Sequence, residues 1–450
     1  MAEREPEDDP LAPRRGRRRV WPTLGLAFGA LVLLYLGGWL ISGARFSSAV
    51  DRLRAQGEPV RPSDMLPKLK PGERNAADVY ERALSVQPKA ALQQFRNLAG
   101  NLSASQQLSL AQGIVGGNPQ YYDLLEEASR LDTCAFPGGW DDALTGGPIV
   151  VLGDMRLAAT ALDAKAKVQA CRGDLDGALG SCAASLRVAR HVEQAPSYAS
   201  ALFGSLMQSR TLGEVGFVLS QGDPSPGACR SLATTLASRD HHALLARSLR
   251  GQRAFGLQSL RWMETGGWLM EERPRSARGL VRETYPVVAK PLWNADKERY
   301  LDLMAAYIDA AQRPWPEAGR EVIRLDKQVP CLFGGPSMGI ANMVPTQAGE
   351  FATLGQDAAL SGAWQIALAL KAYHHDHHAY PPSLAELEQA TWKLPRDPFT
   401  QQPYHYRRTG AGFTVWSVGF DGRDSGARPF TGHREQALQP GTDFVVQCAR

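Results

Sequence analysis

The sequence predicts a mainly α-helical protein with a C-terminal α+β domain, carried on a single N-terminal transmembrane helix. Three observations lead there. Residues 21–41 contain no charge. Apolar residues recur at three- and four-residue steps through much of 72–329. After residue 404 the pattern changes to the alternation of half-buried strands.

At a rise of about 1.5 Å per residue, residues 21–41 form a helix of roughly 30 Å, the thickness of a hydrocarbon core. Arg14, Arg15, Arg17, Arg18 and Arg19 precede it, and the positive-inside bias keeps such a cluster in the cytoplasm. Residues 1–19 are therefore expected as a cytoplasmic tail. Residues 20–42 form the span of a single-pass protein of the inner (cytoplasmic) membrane, and the bulk lies in the periplasm or extracytoplasmic space. Ser42-Gly43-Ala44 offers small residues to a signal peptidase, but the apolar run exceeds the roughly 7–15 residues of a signal core. Length favours an uncleaved anchor. Residues 43–71 carry several prolines among charges and suit an extended stalk.

Hydrophobic residues make up 44% of the 450 and charged residues 21%, so a sizeable core is available and disorder is not indicated. The net charge of +4 comes with no concentrated basic face, which argues against a nucleic-acid partner. The bilayer and unknown envelope proteins are the partners expected. Six scattered cysteines without a CxxC pair leave both free thiols and disulfides open.

Residues 72–329 read as one mostly helical domain. Ala76, Val79, Tyr80 and Ala83 share a stripe. Glycine and proline at 116–119 and 137–139 predict short helices joined by tight turns. A helical hairpin is expected over 152–192. Met155, Ala159, Leu162 and Ala166 line its first arm, and Leu175, Leu179, Cys182, Leu186 and Ala189 its second. Gly173-Asp174 supplies a stop and an N-cap between the arms. The turn resembles a tetratricopeptide turn, yet no second copy follows at about 34 residues. Further helices are expected over 198–219, 227–249 and 294–311.

Residues 330–350 read as a linker. It holds Gly335-Pro336-Ser337-Met338-Gly339, the form of a hydrolase nucleophile elbow. That motif needs a strand before the serine and a helix after it. Few apolar residues precede it and Pro345 follows, so the glycine-rich linker is the preferred reading.

Residues 351–450 are expected to fold alone as a long helix laid on a small antiparallel sheet. Leu360, Trp364, Ala367, Leu368 and Lys371 share helical spacing up to Tyr373. Residues 404–406 and 413–418 read as strands across a turn at 410–412. At the helix end stand His374, His375, His377 and His378. On a continuing helix three of these imidazoles would share one face and could take zinc or nickel, but Tyr380-Pro381 ends the helix close by.

The run through Tyr380-Pro381, Leu384, Leu387, Asp397-Pro398-Phe399, Tyr404, Tyr406, Phe413, Ser417, Gly419, Asp421 and Gly422 resembles the globular domain of the major pseudopilin of type II secretion systems. The likeness covers less than a fifth of the chain. The chain as a whole also resembles uncharacterised bacterial membrane-anchored proteins that join a helical middle to this ending. The pseudopilin resemblance implies calcium in the loop after Ser417, held by Asp421, Asp424 and Asp443. The chain departs from that family in lacking its leader and glutamate, and about three hundred residues separate Ile41 from Phe351. His378 stands where the family carries glycine, and histidine tolerates positive φ better than most residues.

Two functional classes follow. The preferred one is a non-enzymatic scaffold or binding protein, accessory to a secretion or envelope assembly. The other is a cell-envelope hydrolase using Ser337 or a histidine-bound metal.

Overall fold

The computed structural model describes residues 20–98, 103–141, 147–196, 198–264, 289–332, 347–389, 392–410, 412–430, 438, 441 and 443–448. The expected cytoplasmic tail and most of the expected linker, Ser337 included, lie outside the described residues.

The first helix, α1, spans Val20–Ala55. It is the one helix among the described residues that is long and apolar enough to cross a membrane, with a mean hydropathy of 2.1 and none of its apolar window buried. The stalk expected over 43–71 is corrected here, because α1 continues well past Ile41. Pro59 is the first proline after the span, so nothing earlier removes a backbone donor. The helix stops at Gly57, at φ 73°. The Gly57 N–H bonds the Arg54 carbonyl, and the Glu58 N–H bonds the Leu53 carbonyl, the bond pair of a glycine C-cap. Phe46, Ala49, Val50 and Leu53 on one face of α1 enter the core, and Met65 in the 3-10 turn Pro62–Met65 is buried. Phe46 to Met65 thus pack into the body, while 68–71 are exposed.

Short helices follow, as expected: α2 (Ala76–Ser85), α3 (Lys89–Leu98), α4 (Ala104–Gly117) and α5 (Pro119–Ser129). Asn75 and Ser103 cap α2 and α4 by accepting backbone N–H groups. The hairpin forms as α6 (Gly147–Cys171) and α7 (Leu175–Glu193), with Gly173 at φ 83° and Asp174 accepting the Gly177 N–H. The long α8 (Tyr198–Gln221) follows.

The single helix expected over 227–249 is two: α9 (Pro226–Ala237) and α10 (His241–Glu264). Asp240 restarts the chain by accepting the Ala243 N–H at 2.9 Å, an N-cap inside what reads as one apolar stripe. Next come α11 (Lys290–Ala310) and α12 (Trp315–Leu332). Tyr300, Met304, Tyr307 and Ala311 are all fully buried.

Helix α13 (Ala348–His377) ends on His378, which adopts φ 54° in the left-handed region, the conformation implied by its standing where the resembled family carries glycine. The short α14 is Leu384–Gln389. Strands β1 (His405–Thr409), β2 (Gly412–Ser417) and β3 (Phe444–Cys448) form an antiparallel sheet in the order β1-β2-β3. Phe413 pairs with Cys448 and Val415 with Val446. These side chains face Ala363, Ile366, Ala367 and Leu370 of α13. The helix-on-sheet arrangement is therefore present.

It does not stand apart. The apolar cluster that joins α13 to the sheet also contains Val215, Leu219, Cys229, Leu232 and Leu236 from α8 and α9. Toward its N-terminus, Phe351, Ala352 and Leu354 share a second cluster with α1, α10, α11 and α12. Helix α13 is sandwiched, so the boundary expected near residue 350 falls inside a continuous core.

Candidate functional site

Four groups of side chains bear on function, beginning with the acids after Ser417. Asp421 Oδ1 accepts the Arg423 N–H at 3.0 Å and Oδ2 the Gly441 N–H at 2.9 Å. Asp424 Oδ1 accepts from Trp416 Nε1 and the Gly426 N–H, while Oδ2 lies 3.4 Å from His405 Nδ1. Asp443 is fully buried. Its Oδ1 accepts the Ser425 N–H and its Oδ2 those of Ala427 and Arg428. Each of the six oxygens thus has a protein partner.

Calcium requires six to eight oxygens converging at 2.3–2.6 Å. Among the described residues no group of three potential ligands converges on a metal position. Burial raises the Asp443 carboxyl above its ordinary range despite its three N–H bonds. In this structure the three acids tie the loop together through these N–H bonds. Asp443 gathers the 425–428 turn onto the start of β3.

The histidines also disperse. His374 Nδ1 lies 2.8 Å from Asp223 Oδ2, and its ring stacks on Tyr380 at 4.5 Å. His377 stacks on Tyr373 at 4.0 Å, and its Nδ1 faces the Tyr373 carbonyl. His375 pairs with Asp376, and His378 caps the helix. Beside His374, the buried Lys371 donates to Asp223 Oδ1 at 3.0 Å and to the Gly222 carbonyl at 3.3 Å. Burial pushes the Asp223 carboxyl up, but Lys371 and His374 outweigh that and hold it below its usual range. This charged cluster pins α13 to the end of α8. A lysine on the apolar stripe of a helix was the one sequence signal for it.

A third group was not legible. Arg239, in the break between α9 and α10, is 3% exposed at its side chain. It meets Glu193 of α7 at 2.5 and 3.3 Å, Asp357 of α13 at 3.1 Å and Ser205 of α8 at 3.3 Å. Burial alone would lower its pKa, but the two carboxylates reverse that and hold the guanidinium charged. Its partners lie 46 and 118 positions away in sequence, and no local pattern links them.

The fourth feature is a cleft of about 390 Å³ between α13, α14 and the free edge of β1. Leu384, Leu394, Tyr404 and Tyr406 supply apolar walls, and Glu388 pairs with Arg396 at 3.5 Å on its rim. Tyr404 Oη donates to the Ala359 carbonyl and Tyr406 Oη to that of Pro381, so both rings are fixed. The walls suit an apolar segment with a polar rim more than a reacting group.

Among the described side chains, which do not include Cys331, five cysteines are free; Cys134, Cys182, Cys229 and Cys448 are buried and Cys171 is exposed. Burial raises the pKa of all four buried thiols, so they are inert packing groups. No family model, curated protein or solved structure matches the chain.

Proposed function

We propose that the chain is a membrane-anchored scaffold or binding protein of the cell envelope, with its N-terminus in the cytoplasm and its body outside. The observation that carries this reading is α1 itself. Its exposed apolar half is built to cross a bilayer, and its second half, within the same unbroken helix, is packed into the core. A body fixed to its anchor this way is held at the membrane in one orientation. The ionic clusters around Arg239 and Asp223 join helices to one another and support a structural role over a catalytic one.

Within this proposal the C-terminal helix on its sheet is a pseudopilin-like module. Asp397 supports the likeness by accepting the N–H groups of Phe399 and Val418, which ties the Asp397-Pro398-Phe399 turn to the end of β2. Because α8 and α9 cover the other face of α13, the module works in place and presents the cleft beside β1 to an envelope protein.

A photo-cross-linking residue at Ala385, which is exposed in that cleft, tests the proposal in cells with the anchor retained. A discrete adduct to an envelope protein from position 385, and none from the exposed Leu206 on α8, is the expected result. Equal labelling from both positions overturns the cleft. A hydrolytic activity lost on Ser337→Ala at unchanged protein level overturns the scaffold.

A further inference from the structure

Helix α11 runs alongside α1 in the same direction. A Cβ placed at Gly38 would sit 3.5 Å from Pro291. One turn on, Asn294 Nδ2 lies 3.4 Å from Ser42 Oγ, and one turn further Lys297 Nζ lies 4.1 Å from the centre of the Phe46 ring. Matching steps of four on α1 and three on α11 fix both direction and level. The first turn of α11 is therefore level with Gly38, which lies before the last apolar residue of the span, Ile41. With a rise of about 1.5 Å per residue, that turn reaches roughly 4–5 Å below the end of the span.

Leu292 occupies this turn and is 61% exposed, more than any other large apolar side chain outside α1 among the described residues. Trp39 is on α1 at the same level and 42% exposed, and indole rings favour the headgroup boundary. Glu264 pairs with both nearby lysines, Lys290 at 3.4 Å and Lys297 at 2.7 Å, so each ammonium has a carboxylate partner, and the single positive charge left over on the trio suits the headgroup level, where lysine side chains reach the interface.

We propose that the first turn of α11, led by Leu292, inserts into the acyl–headgroup boundary of the bilayer beside the anchor, so that the body is seated on the membrane at two points. This rests on the reading of α1 as a membrane span. The occupant is lipid because the turn is continuous with the span's own lipid-facing surface. Burying one leucine at the boundary contributes little affinity beside the span, but it fixes tilt and rotation about the anchor.

The full chain, reconstituted in liposomes, is spin-labelled at Leu292→Cys, Leu33→Cys or Leu206→Cys, each in a Cys171→Ser, Cys331→Ser background. Collision with oxygen, which concentrates in lipid, is compared with collision with a water-soluble nickel chelate. Leu206 gives the aqueous reference and Leu33 the mid-bilayer one. The oxygen-to-nickel ratio at Leu292 is expected to exceed the aqueous reference several-fold. A ratio at Leu292 equal to that at Leu206, with Leu33 in lipid, overturns the second contact and leaves the anchor standing. An aqueous value at Leu33 overturns the anchor reading itself, and the inference with it.

Discussion

Glu350 gives the sharpest quantitative test of the packing described above. It sits in the first turn of α13 and is fully enclosed against α10. Two effects oppose each other there. A helix N-terminus favours a carboxylate by about 0.3–1 kcal/mol, while burial favours the neutral acid. Burial wins, and with only a bond to Ser248 in opposition it raises the pKa from 4.5 to about 7, which corresponds to roughly 3 kcal/mol. The folded chain therefore holds a proton between about pH 4.5 and 7 that the unfolded chain has released. Since the native state binds more protons there, stability falls as pH rises through this window and levels off above it. Glu350→Gln keeps the shape and removes the titration. Urea midpoints of the full chain should nearly coincide for the two proteins in the ordinary carboxylate range. Above about pH 7 the variant should be more stable, by up to roughly 3 kcal/mol. Asp163, which burial also raises to about 7, acts alike in both proteins and cancels in the difference. Curves that stay parallel across the window would refute the burial argument.

Other outcomes follow from the same contacts. Arg239→Ala leaves Glu193 and Asp357 buried without their cation and should cost about 3–5 kcal/mol, read as a lower melting temperature. Arg239→Met with Glu193→Leu and Asp357→Leu should recover much of it, and an unchanged melt for the single variant would contradict the network. A Cβ at Gly362 would overlap Tyr404 Oη, so Gly362→Ala should destabilise by about 1–3 kcal/mol, whereas Ala363→Gly beside it brings no clash. Asp443→Ala strips three N–H groups of their acceptor and should lower the melting temperature equally in calcium and in chelator. A calcium-dependent melt of the wild-type chain would assign the ligand role to Asp421, Asp424 and Asp443.

What could be read from the sequence was local. The hairpin of α6 and α7 was legible to its caps because Gly173 and Asp174 each do one steric or hydrogen-bonding job that needs no distant partner. The turn at His378 was legible only through the pseudopilin resemblance, which places a glycine there, together with the tolerance of histidine for positive φ. The break between α9 and α10 was not. Its apolar stripe runs on across Ser238 and Asp240, which hides the Asp240 N-cap, and the burial of Arg239 among α7, α8 and α13 rests on partners no local pattern links.

The same distinction explains the two larger misreadings. Periodicity reports that α13 has an apolar face toward the sheet, but a helix apolar on both faces and one apolar on a single wide face look alike in composition. The alanines and glycines along α13 let α9 and the sheet approach from opposite sides, with Tyr404 Oη reaching the α13 backbone at Ala359 next to Gly362. Prolines, likewise, mark where a helix cannot continue and say nothing about where it must end. Between Ile41 and Pro59 no local rule separated an extended tether from a continued helix. Phe46, Val50 and Leu53 at steps of four and three were the available sign, and their partners on α11 lie about two hundred and fifty residues away. A stalk would let the body wander relative to the membrane. A continued helix packed along α11 ties its orientation to that of the span, and for that reason a single exposed leucine at position 292 can be assigned a depth.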